Sequence, residues 1–222
     1  MERNTGDARV VHTAIQAPRD GFRFGNRFVY TWRWLWRGKV RRYAYGLCGG
    51  MCLAALDYAR AGLPTPEQRE TPPWGTRLQR YLLRRQWDSW RYSWAALRTL
   101  YWMALSERQV IRRTLGGELP RLLAGLEAGQ AQVLLLLRAT GLDPTRNHQV
   151  LATGYRREGE GGRIALALYD PNHAGREVAL WVDPGGATAH SVTQSTGEPL
   201  QGFFVIRYRP RTPPILGDES TF

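Results

Sequence analysis

The 222 residues of this chain are 43% hydrophobic and 23% charged, both close to globular averages, which excludes wholesale disorder and predicts one domain over residues 1–222. No apolar run is long enough to cross a bilayer, and the N-terminus lacks the basic-then-apolar layout of a secretion signal, so a cytoplasmic location is expected. The net charge of +12 is scattered and, apart from Lys39, carried by arginine, so nucleic acid or an anionic membrane surface is an open but not a favoured partner.

The first half of the chain predicts a mainly helical part over residues 22–128. Residues 1–20 predict an irregular leader, and Tyr30 to Arg37 predicts an extended segment with its aromatic side chains on one side. That segment either packs over the domain, which we favour, or forms a membrane or base-stacking surface. Helices are predicted over residues 48–61, 75–87 and 94–104, from the Ser106 cap to the stop at Gly116-Gly117, and over residues 119–126.

The second half changes to a two-residue period and predicts a β-sheet part over residues 130–209. Strands are expected over residues 132–138, 147–155, 163–170, 176–182 and 203–209. The proline-rich end, residues 210–222, predicts a loose tail. Helices followed by strands indicate an α+β domain.

Cys48 stands at the start of a predicted helix and is followed by Gly49 and Gly50. Unpaired N–H groups and the helix dipole at that position lower the pKa of a thiol and favour the reactive thiolate. The glycines leave no side chain between the backbone and an approaching substrate. Cys52, one turn later on the predicted buried face of Met51, Ala55 and Tyr58, is expected to be a core residue. The spacing of the two cysteines suits neither a disulfide nor a metal site, so no metal and no cofactor are predicted.

A predicted hairpin pairs a histidine with an aspartate. If the loop between two of the strands is centred on Gly159, Tyr155 faces Arg163 and His148 faces Asp170. The carboxylate would then fix the imidazole tautomer and leave the other ring nitrogen free as a base. A thiol, a base and a carboxylate that orients the base form the pattern of an activated nucleophile.

Three segments resemble the papain-like cysteine peptidases that trim double-glycine leaders from bacteriocins. Residues 48–56 resemble the nucleophile helix of that family, residues 147–155 its histidine strand, and Leu168-Tyr169-Asp170-Pro171 its Asp-Pro segment. The resemblance implies a papain-like fold, in which the nucleophile helix packs on an antiparallel sheet, with a helical insertion. It also implies a catalytic triad of Cys48, His148 and Asp170 acting on a peptide or related acyl substrate.

One position departs from the family. The glutamine that helps hold the oxyanion lies six residues before the cysteine, and here that residue is Arg42. We name Asn26 as a replacement, with Gly49 and Gly50 beside the substrate. The expected function is a cysteine peptidase or amidase. The alternatives are an acyltransferase on the same fold, a relative that binds peptides without cleaving them, and a basic module that uses Tyr30 to Arg42 on nucleic acid or anionic lipid.

Overall fold

A computed structural model of the chain describes residues 9–33, 40–138, 143–159 and 162–215. The helices are α1 (Ala17–Asp20), α2 (Cys48–Arg60), α3 (Arg77–Arg91), α4 (Ala95–Met103), α5 (Glu107–Arg113) and α6 (Leu119–Glu127). The strands are β1 (Val10–His12), β2 (Phe28–Arg33), β3 (Val40–Tyr45), β4 (Gln132–Leu137), β5 (His148–Glu158), β6 (Arg163–Tyr169), β7 (Glu177–Val182), β8 (Val192–Gln194) and β9 (Gly202–Ile206). The predicted α+β class is confirmed. None of the described helices is long and apolar enough to cross a membrane.

The main sheet is antiparallel and curled, with the strand order β8-β7-β6-β5-β4-β9. Strand β1 pairs with β5 beyond the end of β4, so the predicted irregular leader is wrong for residues 10–12. Strand β1 could not be predicted from the sequence, because it is only three residues long and has no clear alternation of polar and apolar residues. The predicted division into a helical and a stranded half is therefore only approximate, since the hairpin β2–β3 also lies within residues 22–128.

The register of the β5–β6 hairpin differs from the prediction. Tyr155 pairs with Leu166, not with Arg163, because the loop spans residues 159–162 and its centre lies beyond Gly159. The register also shifts at Thr153, where β5 has a bulge. A bulge inserts a residue into one strand only, and no feature of the local sequence marks its position.

Strand β4 is buried on both faces and divides the core into two clusters. Val133, Leu135 and Leu137 pack with α2, whereas Leu134 and Leu136 pack on the other face with α6. This double burial explains why the strand is a continuous apolar run instead of an alternating one.

Helix α2 is the central helix of the fold and is buried from Gly49 to Tyr58. The prediction of one buried face was too narrow, because α3 covers the helix on one side while β4 and β5 cover it on another. The helix contains small residues, among them Ala54 and Ala55, that allow this close approach. The expected packing of the Cys48 helix on an antiparallel sheet is confirmed.

A buried charged cluster joins the far end of α2 to α3 and to the C-terminal segment. The guanidinium of Arg85, which is fully buried, lies 2.8 Å from Asp57 Oδ2 and 2.8 Å from Asp88 Oδ2. Tyr208 Oη and the main-chain N–H of Arg211 each donate to Asp57 Oδ1 at 2.9 Å. Burial of such charges is tolerated only when they are paired in this way.

The chain after Pro210 is fixed as far as residue 215, so the predicted loose tail is wrong for that part. The Arg211 guanidinium binds the Asp88 carboxylate through two nitrogens, and Tyr58 Oη donates to the carbonyl of Pro214 at 2.8 Å. Proline removes N–H donors but leaves carbonyls that buried hydroxyls can reach. Residues 216–222 lie outside the described part of the chain.

The predicted helix stop at Gly116-Gly117 is also wrong. Residues 114–118 form a π-helical turn that connects α5 to α6 without a break. The turn directs two polar side chains at the outer edge of β9: Thr114 Oγ1 accepts from the Phe203 N–H at 3.2 Å, and Glu118 Oε2 accepts from the Val205 N–H at 2.9 Å. The exposed hydrogen-bonding groups of this edge strand are thus satisfied within the chain.

Candidate active site

Cys48 is the first residue of α2 and lines an open cleft of 780 Å³. It is half-buried, so its thiol reaches the cleft although the rest of the helix start is enclosed. The preceding residue, Leu47, is the N-cap and has no side chain with which to satisfy the first N–H groups. The thiol therefore lies at the positive end of the helix dipole, as the sequence predicts.

His148 is the first residue of β5, and Asp170 follows the last residue of β6. His148 Nε2 lies 2.6 Å from Asp170 Oδ1, and both side chains are almost fully buried. The two residues are not direct cross-strand partners, because the last pair of the ladder is Leu151 with Tyr169. The predicted direct opposition is wrong, but the shifted register still places the two residues diagonally at one end of the hairpin, within reach of each other.

The imidazole of His148 also interacts with the Cys48 thiol, and both residues line the cleft. Because Nε2 faces Asp170, the nitrogen left for the sulfur is Nδ1. Burial would raise the pKa of the Cys48 thiol, but the hydrogen bond and charge of His148, with main-chain N–H groups of Gln149 and Gly49, hold that pKa below its ordinary value. These contacts favour a thiolate beside an imidazolium.

The pKa of His148 is raised and the pKa of Asp170 is lowered, so that both side chains favour their charged forms. Burial would lower the pKa of His148, but its hydrogen bonds to Asp170 and Cys48 raise that pKa to about 9. Burial would likewise raise the pKa of Asp170, yet the hydrogen bond and charge of His148 and the N–H of Asn172 hold it below its ordinary value. The arrangement therefore stabilises three neighbouring charged groups, the Cys48 thiolate, the His148 imidazolium and the Asp170 carboxylate.

The Asp170 carboxylate has a third donor that sequence reasoning missed. The side-chain amide of Gln194, on β8, donates to Asp170 Oδ2 at 3.1 Å, while the Asn172 N–H donates to Oδ1 at 2.8 Å. Gln194 is itself buried, as expected for a residue that fixes a carboxylate. Its role could not be found from the sequence, because β8 is short and joins the sheet three strands away from β5.

The two glycines after Cys48 face the interior instead of the cleft. A Cβ on Gly49 would lie 2.3 Å from Gln149 Oε1 and 2.4 Å from Ser89 Oγ. A Cβ on Gly50 would lie 2.2 Å from the main-chain oxygen of Leu82 on α3. Packing against β5 and α3 explains both glycines, and neither lines the cleft as the predicted substrate contact requires.

Asn26, named from the sequence as a replacement oxyanion donor, lines the same cleft as Cys48. Its Oδ1 accepts from the Leu47 N–H at 2.5 Å, and its Nδ2 donates to Asn172 Oδ1 at 3.1 Å. The main-chain N–H of Asn26 also donates to the Pro171 carbonyl at 2.9 Å. The side-chain amide is therefore held between the start of α2 and the turn that follows Asp170. The backbone of Arg42 lies in β3, but its side chain is outside the described part of the structure.

The rest of the cleft wall comes from α3 and from the segments around β4 and β5. Gln86 and Trp90 form one side, and Gln86 Oε1 accepts from the Gly50 N–H at 2.9 Å. Arg138 and Glu198, which form an ion pair, contribute to another part of the wall. These residues carry no local motif, so the sequence offered no signal for them.

Cys52 is a core residue, as predicted. It is fully buried, its thiol donates to the Gln149 carbonyl at 3.6 Å, and burial raises its pKa well above the ordinary value. Both cysteines are free thiols. Within the described ranges, no three His, Cys, Asp or Glu side chains are grouped so that they could hold a metal ion.

The other stretch singled out from the sequence, Tyr30 to Arg42, forms parts of the hairpin β2–β3. The Tyr30 ring packs on the Trp74 ring with centroids 4.5 Å apart, which agrees with a packed aromatic segment at that position. Residues 34–39, with Trp34 and Trp36, lie outside the described residues.

Comparison with models of protein families, with curated proteins and with solved structures finds no match to this chain.

Proposed function

We propose that this protein is a papain-like cysteine hydrolase, a peptidase or amidase, that uses Cys48 as its nucleophile. The observation that carries the proposal is the contact of one imidazole with both a thiol and a buried carboxylate at the wall of an open cleft. Each of these groups has a common structural role by itself. Their combination has the geometry of an activated nucleophile, in which the base is oriented by a third group.

The proposed reaction begins with the transfer of the Cys48 proton to His148 Nδ1. The thiolate sulfur attacks the acyl carbon, and the carbonyl oxygen becomes an oxyanion. The imidazolium then gives its proton to the leaving amine, which leaves a thioester on Cys48. A water molecule, deprotonated by His148, attacks the thioester and releases the acid and the thiol. Asp170 orients the ring and compensates its positive charge throughout.

We assign the oxyanion donors to the main-chain N–H of Cys48 and the side-chain amide of Asn26. The first N–H groups of a helix lack intrahelical acceptors, which makes the Cys48 N–H suitable for this role. Asn26 Nδ2 carries two hydrogens, of which one binds Asn172, and its Oδ1 is fixed by the Leu47 N–H. Such preorganised donors typically contribute about 100- to 1000-fold to the rate.

The proposal is tested by labelling the full chain with a thiol-directed acyloxymethyl ketone and mapping the modified peptide. We expect rapid modification of Cys48, none in Cys48→Ala, and undiminished modification in the matched variant Cys52→Ala, whose thiol is buried. His148→Ala should label much more slowly at neutral pH, because the Cys48 thiol loses the base that accepts its proton. Failure of Cys48 to label faster than glutathione thiol would refute the activated-thiol chemistry. Incubation of a peptide library with the enzyme, with and without an added amine, then identifies hydrolysis or acyl transfer from the products.

A further inference from the structure

Helix α4 exposes an apolar face to solvent. Leu97, Leu100 and Tyr101 are 59%, 51% and 51% exposed. Residues three and four apart on a helix are neighbours, so these side chains form one continuous stripe. The opposite face of the helix, with Thr99 and Trp102, is buried against the core. Packing of α4 therefore does not require the exposed stripe.

Trp94, which immediately precedes α4, continues this stripe and has a strained backbone. Its φ is 54°, and it is the one non-glycine residue with a positive φ among those described. A bulky residue rarely adopts that conformation, and glycine would do so without strain. The Trp94 side chain gains no burial in exchange, since it is 75% exposed. Strained residues that persist without such a gain are characteristic of functional positions.

Arginines surround the indole. Arg91, Arg207 and Arg209 line a hollow of 290 Å³ together with Trp94. At the other end of the stripe, Arg113 Nη2 donates to Tyr101 Oη at 2.8 Å. The apolar stripe is therefore bordered by positive charge on two sides.

We propose that this surface binds peripherally to an anionic lipid bilayer. We call it the α4 surface and define it by Trp94, Leu97, Leu100 and Tyr101 with Arg91, Arg207 and Arg209. Tryptophan and tyrosine are favoured at the boundary between headgroups and acyl chains, and arginine attracts anionic headgroups. The two leucines decide between lipid and nucleic acid, because an aliphatic side chain can enter the acyl region but offers no ring on which a base can stack.

The C-terminal end of α4 contacts the wall of the cleft. Met103, at the end of α4, accepts a hydrogen bond through its sulfur from Asn147, which lines the cleft beside His148. The binding itself is independent of the proposed thiol chemistry and is measured equally well in Cys48→Ala.

The test is co-sedimentation of the full chain with vesicles of phosphatidylcholine that contain 30% phosphatidylglycerol, against vesicles of phosphatidylcholine alone. We expect binding to the anionic vesicles that weakens as salt is added. Trp94→Gly should reduce the partition coefficient about tenfold or more, because an exposed indole no longer enters the interface. The same variant should have an unchanged or higher melting temperature, since glycine accepts the positive φ. If Trp94 had a purely structural role, the substitution by glycine would instead lower the melting temperature.

Two arginine variants provide a matched pair. Arg91→Gln removes one charge from the α4 surface and should weaken binding to the anionic vesicles about fivefold. Arg163→Gln removes the same charge from β6, three strands away from β9, and should have little effect. Equal effects of the two variants would overturn the assignment, because they would indicate attraction by net charge alone. The absence of binding at low salt, or retention of full binding in Trp94→Gly, would also overturn it. Tighter binding of a single-stranded oligonucleotide that Trp94→Gly abolishes would assign the surface to nucleic acid instead.

Discussion

The substitution Gly50→Ala distinguishes packing from substrate contact as the reason for the glycine pair after Cys48. The added Cβ would lie 2.2 Å from the Leu82 carbonyl oxygen and 3.0 Å from the Gln86 nitrogen. Both are main-chain atoms of α3, so no side chain can rotate away and the two helices must separate. Because α3 also carries Arg85, the separation would disturb the buried charged cluster as well.

Overpacking of a core typically lowers the free energy of unfolding by about 1–3 kcal/mol, and a clash with main-chain atoms belongs at the upper end. The better helix propensity of alanine offsets about 1 kcal/mol of this loss. We therefore expect Gly50→Ala to lower the free energy of unfolding by roughly 2 kcal/mol, and the melting temperature by about 4–8 °C for a chain of this size.

Urea unfolding followed by far-ultraviolet circular dichroism measures the effect, with Gly117→Ala as the matched control. A Cβ on Gly117 meets no atom within 4 Å, and this glycine is exposed with a negative φ, so alanine should stabilise the chain by about 0.5–1 kcal/mol. If Gly50→Ala were as stable as the wild type but inactive, packing would not explain the glycine, and contact with substrate would become the better explanation.

Three further substitutions test the candidate active site and the buried charged cluster. The alkylation rate of Cys48 by iodoacetamide should rise with a midpoint below that of an ordinary thiol and change again near pH 9, where His148 loses its proton. In His148→Ala the first midpoint should move to higher pH, because the effect of burial is then opposed only by the main-chain N–H groups of Gln149 and Gly49, and an unmoved midpoint would contradict the coupling. Asn26→Ala should lower kcat on an acyl substrate by about 100-fold or more while Cys48 still alkylates, and an unchanged kcat would remove Asn26 from the oxyanion site. Asp57→Ala removes one of the two carboxylates that pair with the buried Arg85, so that Arg85 and Arg211 share Asp88 alone, and it should lower the free energy of unfolding by about 3–5 kcal/mol in urea; near-native stability would show that water reaches the cluster.

The parts of the fold that follow from local periodicity could be predicted from the sequence. Helix α2 has apolar residues at helical spacing, and the apolar run of β4 is too short for a helix, so the predicted bounds of both agree with the structure to within one residue. Strand β1 has too few residues for a pattern, and it is held by pairing with β5 alone. The glycines at 116 and 117 predicted a stop, but buried residues on both sides, such as Ile111 and Leu122, favour continuation of the helix.

The candidate site was predictable in its members and not in its geometry. Cys48, His148 and Asp170 each stand at the end of an element, and element ends tend to collect at one edge of a sheet, so their meeting was a reasonable expectation. The bulge at Thr153 and the length of the hairpin loop set the actual register. Gln194 depends on a long-range contact, which a single sequence does not encode in any local pattern.

The apolar stripe of α4 shows a second limit of prediction from the sequence. The spacing of Leu97, Leu100 and Tyr101 predicts a helix correctly, and such spacing usually marks the face that packs on the core. In this helix the core face is made by Ala95, Thr99 and Trp102 instead. Both faces are apolar, so periodicity alone could not tell which one would meet solvent.

The separation of β4 and β9 along the sequence has a consequence for biosynthesis. Strand β4 hydrogen-bonds to β5 on one side and to β9 on the other, and among the described strands β9 is the last to be synthesised. Until residues 202–206 emerge, the run Val133-Leu134-Leu135-Leu136-Leu137 presents an open, uncharged backbone edge of the kind that nucleates intermolecular β-structure. Prematurely terminated chains should therefore aggregate through β4 or require a chaperone, whereas completion of β9, closed on its outer side by Thr114 and Glu118, removes the hazard.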